Sequence, residues 1–321
     1  METSVVNYSH LTLSSLESRD EKLLKIGYFA DGKWSHKAFE RLIEDNNISL
    51  AFICVRFDTT DKTLMDFCKK YNIDYLKSED VNSQAFVNEI SKYSCDLFVS
   101  MSFNQIFKDA LINLTKYKII NCHAGKLPFY RGRNVLNWVL INDQKEFGIT
   151  VHYVDEGIDT GDLILQGTYP ISIEDDYSTL LELSYVECAN ILYDAVCLFK
   201  FGPVTGKKQK EIHPNGFYCS QRRSGDENLD WDDTSKNIFN FVRAICNPGP
   251  KARAFINGGE VLINKVELVP NSLDYKCIPG AILFIDKSKV GVLVKTGDSF
   301  SKRVEFEGNV KFRVGDRFAI R

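Results

Sequence analysis

Residues Lys118 to Leu140 read KIINCHAGKLPFYRGRNVLNWVL, and residues Val151 to Gln166 read VHYVDEGIDTGDLILQ. The apolar pair Ile119-Ile120 runs into Asn121-Cys122-His123 and breaks at Gly125 and Pro128. That is the pattern of a buried strand handing an amide and an imidazole to a loop at its carboxyl end. In an open α/β sheet, ligands gather outside the carboxyl ends of the strands. A second strand, Gly148 to Val154, opens into the acidic, glycine-rich turn Asp155-Glu156-Gly157-Ile158-Asp159-Thr160-Gly161. Asn, His and Asp on two such loops point to acyl transfer. The amide would hold an oxyanion, the imidazole would move a proton, and the carboxylate would set the imidazole.

Working outward, short apolar runs alternate with helical periodicity. Strands are expected at Lys25–Ala30, Leu50–Val55, Ile73–Leu76 and Asp96–Ser100, with amphipathic helices between them. This alternation implies right-handed βαβ units, hence an α/β, Rossmann-like, mostly parallel sheet. The first turn lacks G-x-G-x-x-G, so a dinucleotide site is unsupported. A long helical stretch covers Asp176–Phe201, and Gly202–Gly216 is rich in Lys, Pro and Gly. A further helix, Thr234–Ile245, ends at Pro248-Gly249-Pro250. From Ala252 the pattern becomes short strands (ARAFI, EVLINKVEL, AILFID, VGVLVKT, KRVEFEG, FRVGDRFAI), which suits a small OB-like β-barrel. The expected organisation is an N-terminal extension over 1–22, a catalytic domain over 23–201, a linker over 202–233 and a β-rich domain over 234–321.

The 321 residues are enough for two domains with real cores, and 44% apolar with 26% charged residues is ordinary for a globular chain. No apolar run approaches a membrane span, and Met1–Glu21 has neither a basic nor an apolar signal region. Nine cysteines without any C-x-x-C spacing read as reduced thiols rather than disulfides or a zinc site, so a cytoplasmic location is expected. A net charge of −3 argues against a nucleic-acid partner.

The motif N-x-H-x-G-x-L-P-x-Y-R-G-R over Asn121–Arg133, the nearby Trp138, G-I-T-V-H over Gly148–His152 and D-T-G at Asp159 resemble the folate-dependent formyltransferases. That resemblance implies N10-formyltetrahydrofolate as co-substrate, no metal, and Asn121, His123 and Asp159 as the catalytic residues. It implies that backbone groups of two loops hold the folate: Ser102-Phe103-Asn104-Gln105-Ile106 and Asp155-Glu156-Gly157. Phe103 and Ile106 read equally well as plain core. Lys33 and Trp34 would face the second substrate, although Trp34 also suits helix packing. Arg131 and Arg133 suit a nucleotide diphosphate, or Arg131 pairs with a loop carboxylate and fixes the turn. Pro128 and Gly132 are expected to shape the loop and touch nothing, and His152 to be structural.

The R-G-R and L-N-W runs most resemble the enzymes acting on nucleotide-linked 4-amino sugars. The expected activity is therefore a sugar N-formyltransferase. Its acceptor would be a nucleotide-linked, dTDP-type amino-dideoxy sugar used in O-antigen and surface polysaccharide, and the barrel would serve as scaffold or homodimer contact. The alternative within the same family is methionyl-tRNA formyltransferase.

Overall fold

The computed structural model describes residues 2–9, 21–271, 273–274, 276–286, 291–308 and 310–319. Residues 10–20 of the expected extension and 287–289 of the expected turn lie outside these.

The chain folds as two units. The first comprises residues 1–132, 147–170 and 182–219, and the second 133–146, 171–181 and 220–321.

The first unit is built on an eight-stranded sheet. Its strands are β1 (Ser4–Asn7), β2 (Leu24–Ala30), β3 (Ile48–Val55), β4 (Asp74–Lys77), β5 (Leu97–Met101), β6 (Ile119–His123), β8 (Glu146–Tyr153) and β9 (Leu163–Pro170). They lie in the order β1-β9-β8-β6-β5-β2-β3-β4. Two short strands outside the sheet, β7 (Arg131–Gly132) and β10 (Tyr218–Cys219), pair in parallel with each other. Strands β2 to β6 pair in parallel, as the alternation of apolar runs and helices predicts. Chain order reverses between β2 and β5, so their carboxyl ends border the crevice where such sheets take ligands, with β6 next to β5. β8 then turns back antiparallel to β6.

The helices between these strands each bury an apolar stripe, and two of them are capped by a side chain. Gly32–Ile43 buries Ala38, Phe39 and Leu42. Lys62–Tyr71 is capped by the Asp61 carboxylate on the Leu64 amide, and Gln84–Ser91 by Ser83 on Phe86. Against the Gln84–Ser91 helix packs a core in which the Phe29 ring meets Phe52, Phe98, Phe103 and Phe107 edge-on, with centroids 5.1 to 5.7 Å apart. Phe103, one of the expected folate-loop residues, is thus part of this aromatic core.

Within the N-terminal extension, Ser4–Asn7 forms an edge strand antiparallel to β9. Val5 and Val6 remain exposed, so backbone hydrogen bonds rather than burial hold it there.

The second unit centres on the helix Ser235–Ile245, capped by Thr234 on Asn237, and a five-stranded antiparallel sheet. In spatial order the strands are β11 (Ala252–Ile256), β12 (Gly259–Leu268), β15 (Phe300–Glu307), β14 (Gly291–Lys295) and β13 (Ile282–Asp286). Among its described residues, the last expected strand, FRVGDRFAI, forms isolated bridges, Phe318 to Ile256 and Arg317 to Ala281. Those bridges link the two edge strands, so the sheet curls into an OB-like half-barrel. Trp231 is fully buried in this unit and stacks on Phe318 with ring centroids 5.0 Å apart.

Among the described residues, no helix is long and apolar enough to cross a membrane.

Candidate active site

Strand periodicity builds the site. Asn121 and His123 are two apart on β6, so both side chains fall on one face, while Cys122 between them turns to the other and donates toward the Cys188 carbonyl. In the antiparallel pairing with β8, Asn121 stands opposite His152 and His123 opposite Thr150. One face of two strands therefore presents an amide, two imidazoles and a hydroxyl.

Asp159 is brought to this face by the turn after β8. Its backbone is left-handed (φ 53°), and its side chain is only 12% exposed. Oδ2 lies 3.5 Å from His123 Nδ1 and accepts from the Gly132 amide at 2.8 Å. Oδ1 lies 3.5 Å from His152 Nε2. Burial pushes the Asp159 carboxyl up, but the His123 and His152 rings and the Gly132 amide outweigh it. They hold the carboxyl well below the usual carboxylate range.

His123 Nε2 donates to the Tyr130 carbonyl at 2.7 Å, so both ring nitrogens face oxygen acceptors. His152 Nδ1 donates to the Tyr153 carbonyl at 2.7 Å, and its Nε2 lies 3.4 Å from the Asn121 amide nitrogen as well as beside Asp159. Gly125 is dictated by this packing: a Cβ there would sit 2.4 Å from His123 Nε2 and 2.5 Å from the Tyr130 oxygen. Thr150 and Gln166 anchor the same loop through the Gly125 and Leu127 carbonyls.

Asn121, His123 and Asp159 thus converge. The same geometry adds to one expectation and corrects another. His152, expected to be structural, touches both Asn121 and Asp159. Gly132 does more than shape a turn, because its N–H holds the Asp159 carboxylate. The signal for His152 was its period-two spacing from Thr150, legible only once the β6–β8 register is known.

The other expected site residues are more scattered. Ser102 follows β5, whose Ser100 pairs with Asn121, and Ser102 Oγ accepts from Arg56 at 3.4 Å. Asn104 donates to both oxygens of Asp58 at 3.1 Å, Gln105 bridges Val81 and Ser78, and Ile106 is exposed. In the other loop, Asp155 accepts from Gly157 and Thr160, while Glu156 is exposed. Trp34 packs edge-on against Tyr185, and the Lys33 ammonium lies over the same ring. Among the described residues Arg131 pairs with no carboxylate; Gln209 Oε1 accepts from its Nε and Nη2, and the guanidinium lies over Tyr218. Arg133 is exposed, falls in the other unit and donates to Gln221 at 3.4 Å.

Residues 55–195 match the Formyl transferase family, and residues 223–314 match Formyl transferase, C-terminal domain. The methionyl-tRNA formyltransferase of Fusobacterium nucleatum is 32% identical over 73% of this chain and 74% of its own length. That of Citrifermentans bemidjiense is 30% identical over 78% and 77%, and that of Clostridium acetobutylicum is 26% identical over 92% and 96%.

Two solved structures share the fold. A sugar 3N-formyl transferase with dTDP and 5-N-formyl-THF has a TM-score of 0.63 at 20% identity, covering 90% of this chain and 99% of its own. The Helicobacter canadensis N-formyltransferase with folinic acid and dTDP-3-aminofucose has 0.65 at 20%, covering 88% and 100%. Likeness at that identity shows the fold alone. The expectation of a sugar N-formyltransferase is therefore corrected: the relatives that share about 30% of this sequence are methionyl-tRNA formyltransferases. The physical reason is that arginines in a loop and a net charge do not identify an acceptor. With both domain models matched and relatives of 30% identity or more over most of its length, the chain belongs to the formyl transferase family.

Proposed function

We propose that this chain moves a formyl group from N10-formyltetrahydrofolate to the α-amine of methionine esterified to transfer RNA. The observation that carries the reading is the identity of the sequence relatives, which reaches 32% over 73% of the chain. A second feature supports it. Lys208 and Lys210 are exposed in the segment that carries Phe217 and Tyr218, whose rings are 44% and 53% exposed. Exposed cations and partly exposed aromatic residues in one segment suit a single-stranded acceptor end. The net charge of −3 sums the whole chain and says nothing about such a patch.

In this reaction the amine nitrogen bonds to the formyl carbon and the bond from that carbon to N10 breaks. The amine loses one proton and N10 gains one. One Asn121 N–H faces His152, and the other serves the oxygen that becomes negative. His123 takes the proton that the amine loses and passes it to the departing nitrogen. Asp159 holds that ring in place and balances its charge.

Binding of initiator transfer RNA at a series of salt concentrations tests the acceptor. The dissociation constant should rise steeply between ~50 and ~200 mM salt, as phosphate contacts require. No binding, or binding indifferent to salt, would count against the proposal.

A further inference from the structure

Gln209 is the first residue of the short helix Gln209–Ile212 and is only 4% exposed. Its Nε2 donates to the Asp159 carbonyl at 2.8 Å and to the Gly161 carbonyl at 2.9 Å. Its Oε1 accepts from Arg131 Nε at 3.1 Å and Nη2 at 2.7 Å. Both N–H groups and both lone pairs of the amide are therefore engaged. Turning the amide over would set its oxygen against two carbonyls and its NH2 against a guanidinium, so only one orientation fits.

The two things it joins are the two halves of the site. Arg131 lies between Tyr130, whose carbonyl accepts from His123, and Gly132, whose amide holds Asp159. Asp159 sits at φ 53°, a conformation that a non-glycine residue keeps only when its surroundings enforce it. Gly132 fixes its carboxylate, and Gln209 fixes the backbone from which that carboxylate projects.

We infer that Gln209 is a positioning residue for formyl transfer: by bracing the Asp159 and Gly161 carbonyls against Arg131, it sets the Asp159 carboxylate on His123. The kinetic part of this inference rests on the reaction proposed above; the geometric part does not.

Gln209→Ala and Gln209→Glu test it together. Glutamate keeps a partner for Arg131 but turns an acceptor-only group toward two carbonyl oxygens, so it separates the two contacts. Both variants should lower kcat for formyl transfer by about 10- to 100-fold while the KM for the formyl donor stays within about twofold. In spectra of 15N-histidine-labelled protein, the His123 ring signals, assigned through their loss in His123→Asn, should move. Those of His36, which is held by Asp61, should not. If alanine prevents folding, the glutamate variant alone decides. A folded variant with unmoved His123 signals, or with a loss confined to KM, overturns the inference. If the wild-type protein does not formylate methionyl-tRNA, the acceptor reading fails, and the histidine spectra still decide the role of Gln209.

Discussion

His152 lies directly across the antiparallel ladder from Asn121, with its Nε2 3.4 Å from the Asn121 amide nitrogen and 3.5 Å from Asp159 Oδ1. The ring is 2% exposed, so neither contact has water as a ready substitute. His152→Phe keeps the ring volume and removes the nitrogens. It should lower kcat by ~10-fold or more and cost ~1–3 kcal/mol of stability, since an amide and a carbonyl lose their partners. Steady-state kinetics and urea unfolding measure the two effects, and a variant with wild-type kcat would remove His152 from the site.

Gly125 gives a steric test of the same cluster. A methyl group there meets His123 Nε2 at 2.4 Å and the Tyr130 oxygen at 2.5 Å, one a side chain of the site and the other backbone. Gly125→Ala should therefore break the His123–Tyr130 hydrogen bond, costing ~1–3 kcal/mol through overpacking and more than ~10-fold in kcat. Unchanged activity and melting temperature would mean that the loop relaxes without disturbing the ring.

How much of this was legible follows from which contacts are local. The alternation of apolar runs and amphipathic helices over Lys25–Ser100 marks a parallel sheet because both periods are set within a few residues. Asn121 and His123 were readable as a pair because spacing of two puts them on one face of a strand. His152 needed the register between β6 and β8, which no short window contains. Gln209 lies in a stretch with the composition of a connector, and only the fold brings it to Asp159. Ser4–Asn7 was too short and too exposed to show a strand pattern. The acceptor was misread because a net charge averages over surfaces that act separately.

The Asp159 carboxyl should leave a signature in acid. Its folded pKa lies below its ordinary value of 3.8, with burial opposing and His123, His152 and the Gly132 amide prevailing. Its contribution is therefore present above the unfolded value and lost as pH falls toward the folded one. The stability difference between wild type and Asp159→Asn should be level between pH 6 and 5 and smaller by about 1 kcal/mol at pH 3. Denaturant unfolding at each pH measures it, and a difference that stays level down to pH 3 would show that the carboxylate is not held by these partners.

Away from the site, Lys200 is 5% exposed and its ammonium pairs with Asp45, which also accepts from Tyr193 at 2.8 Å. Asp45→Ala leaves that cation with Glu21, at 3.6 Å, as its carboxylate partner among the described residues. A buried charge stripped of its main partner should cost about 3 kcal/mol of stability, with little change in kcat for the folded fraction. Thermal unfolding beside kinetics separates the two, and an equal loss in kcat would tie this cluster to the chemistry.

Formyl transfer itself is tested most directly in a single turnover. Purified protein, N10-formyltetrahydrofolate and initiator transfer RNA charged with methionine should yield formylmethionyl-tRNA. His123→Asn should slow that step by ~10² or more while leaving the fold intact. Transfer to methionyl-tRNA that vanishes with His123 is the predicted result. Formyl transfer to a dTDP-linked amino sugar with none to methionyl-tRNA would contradict it.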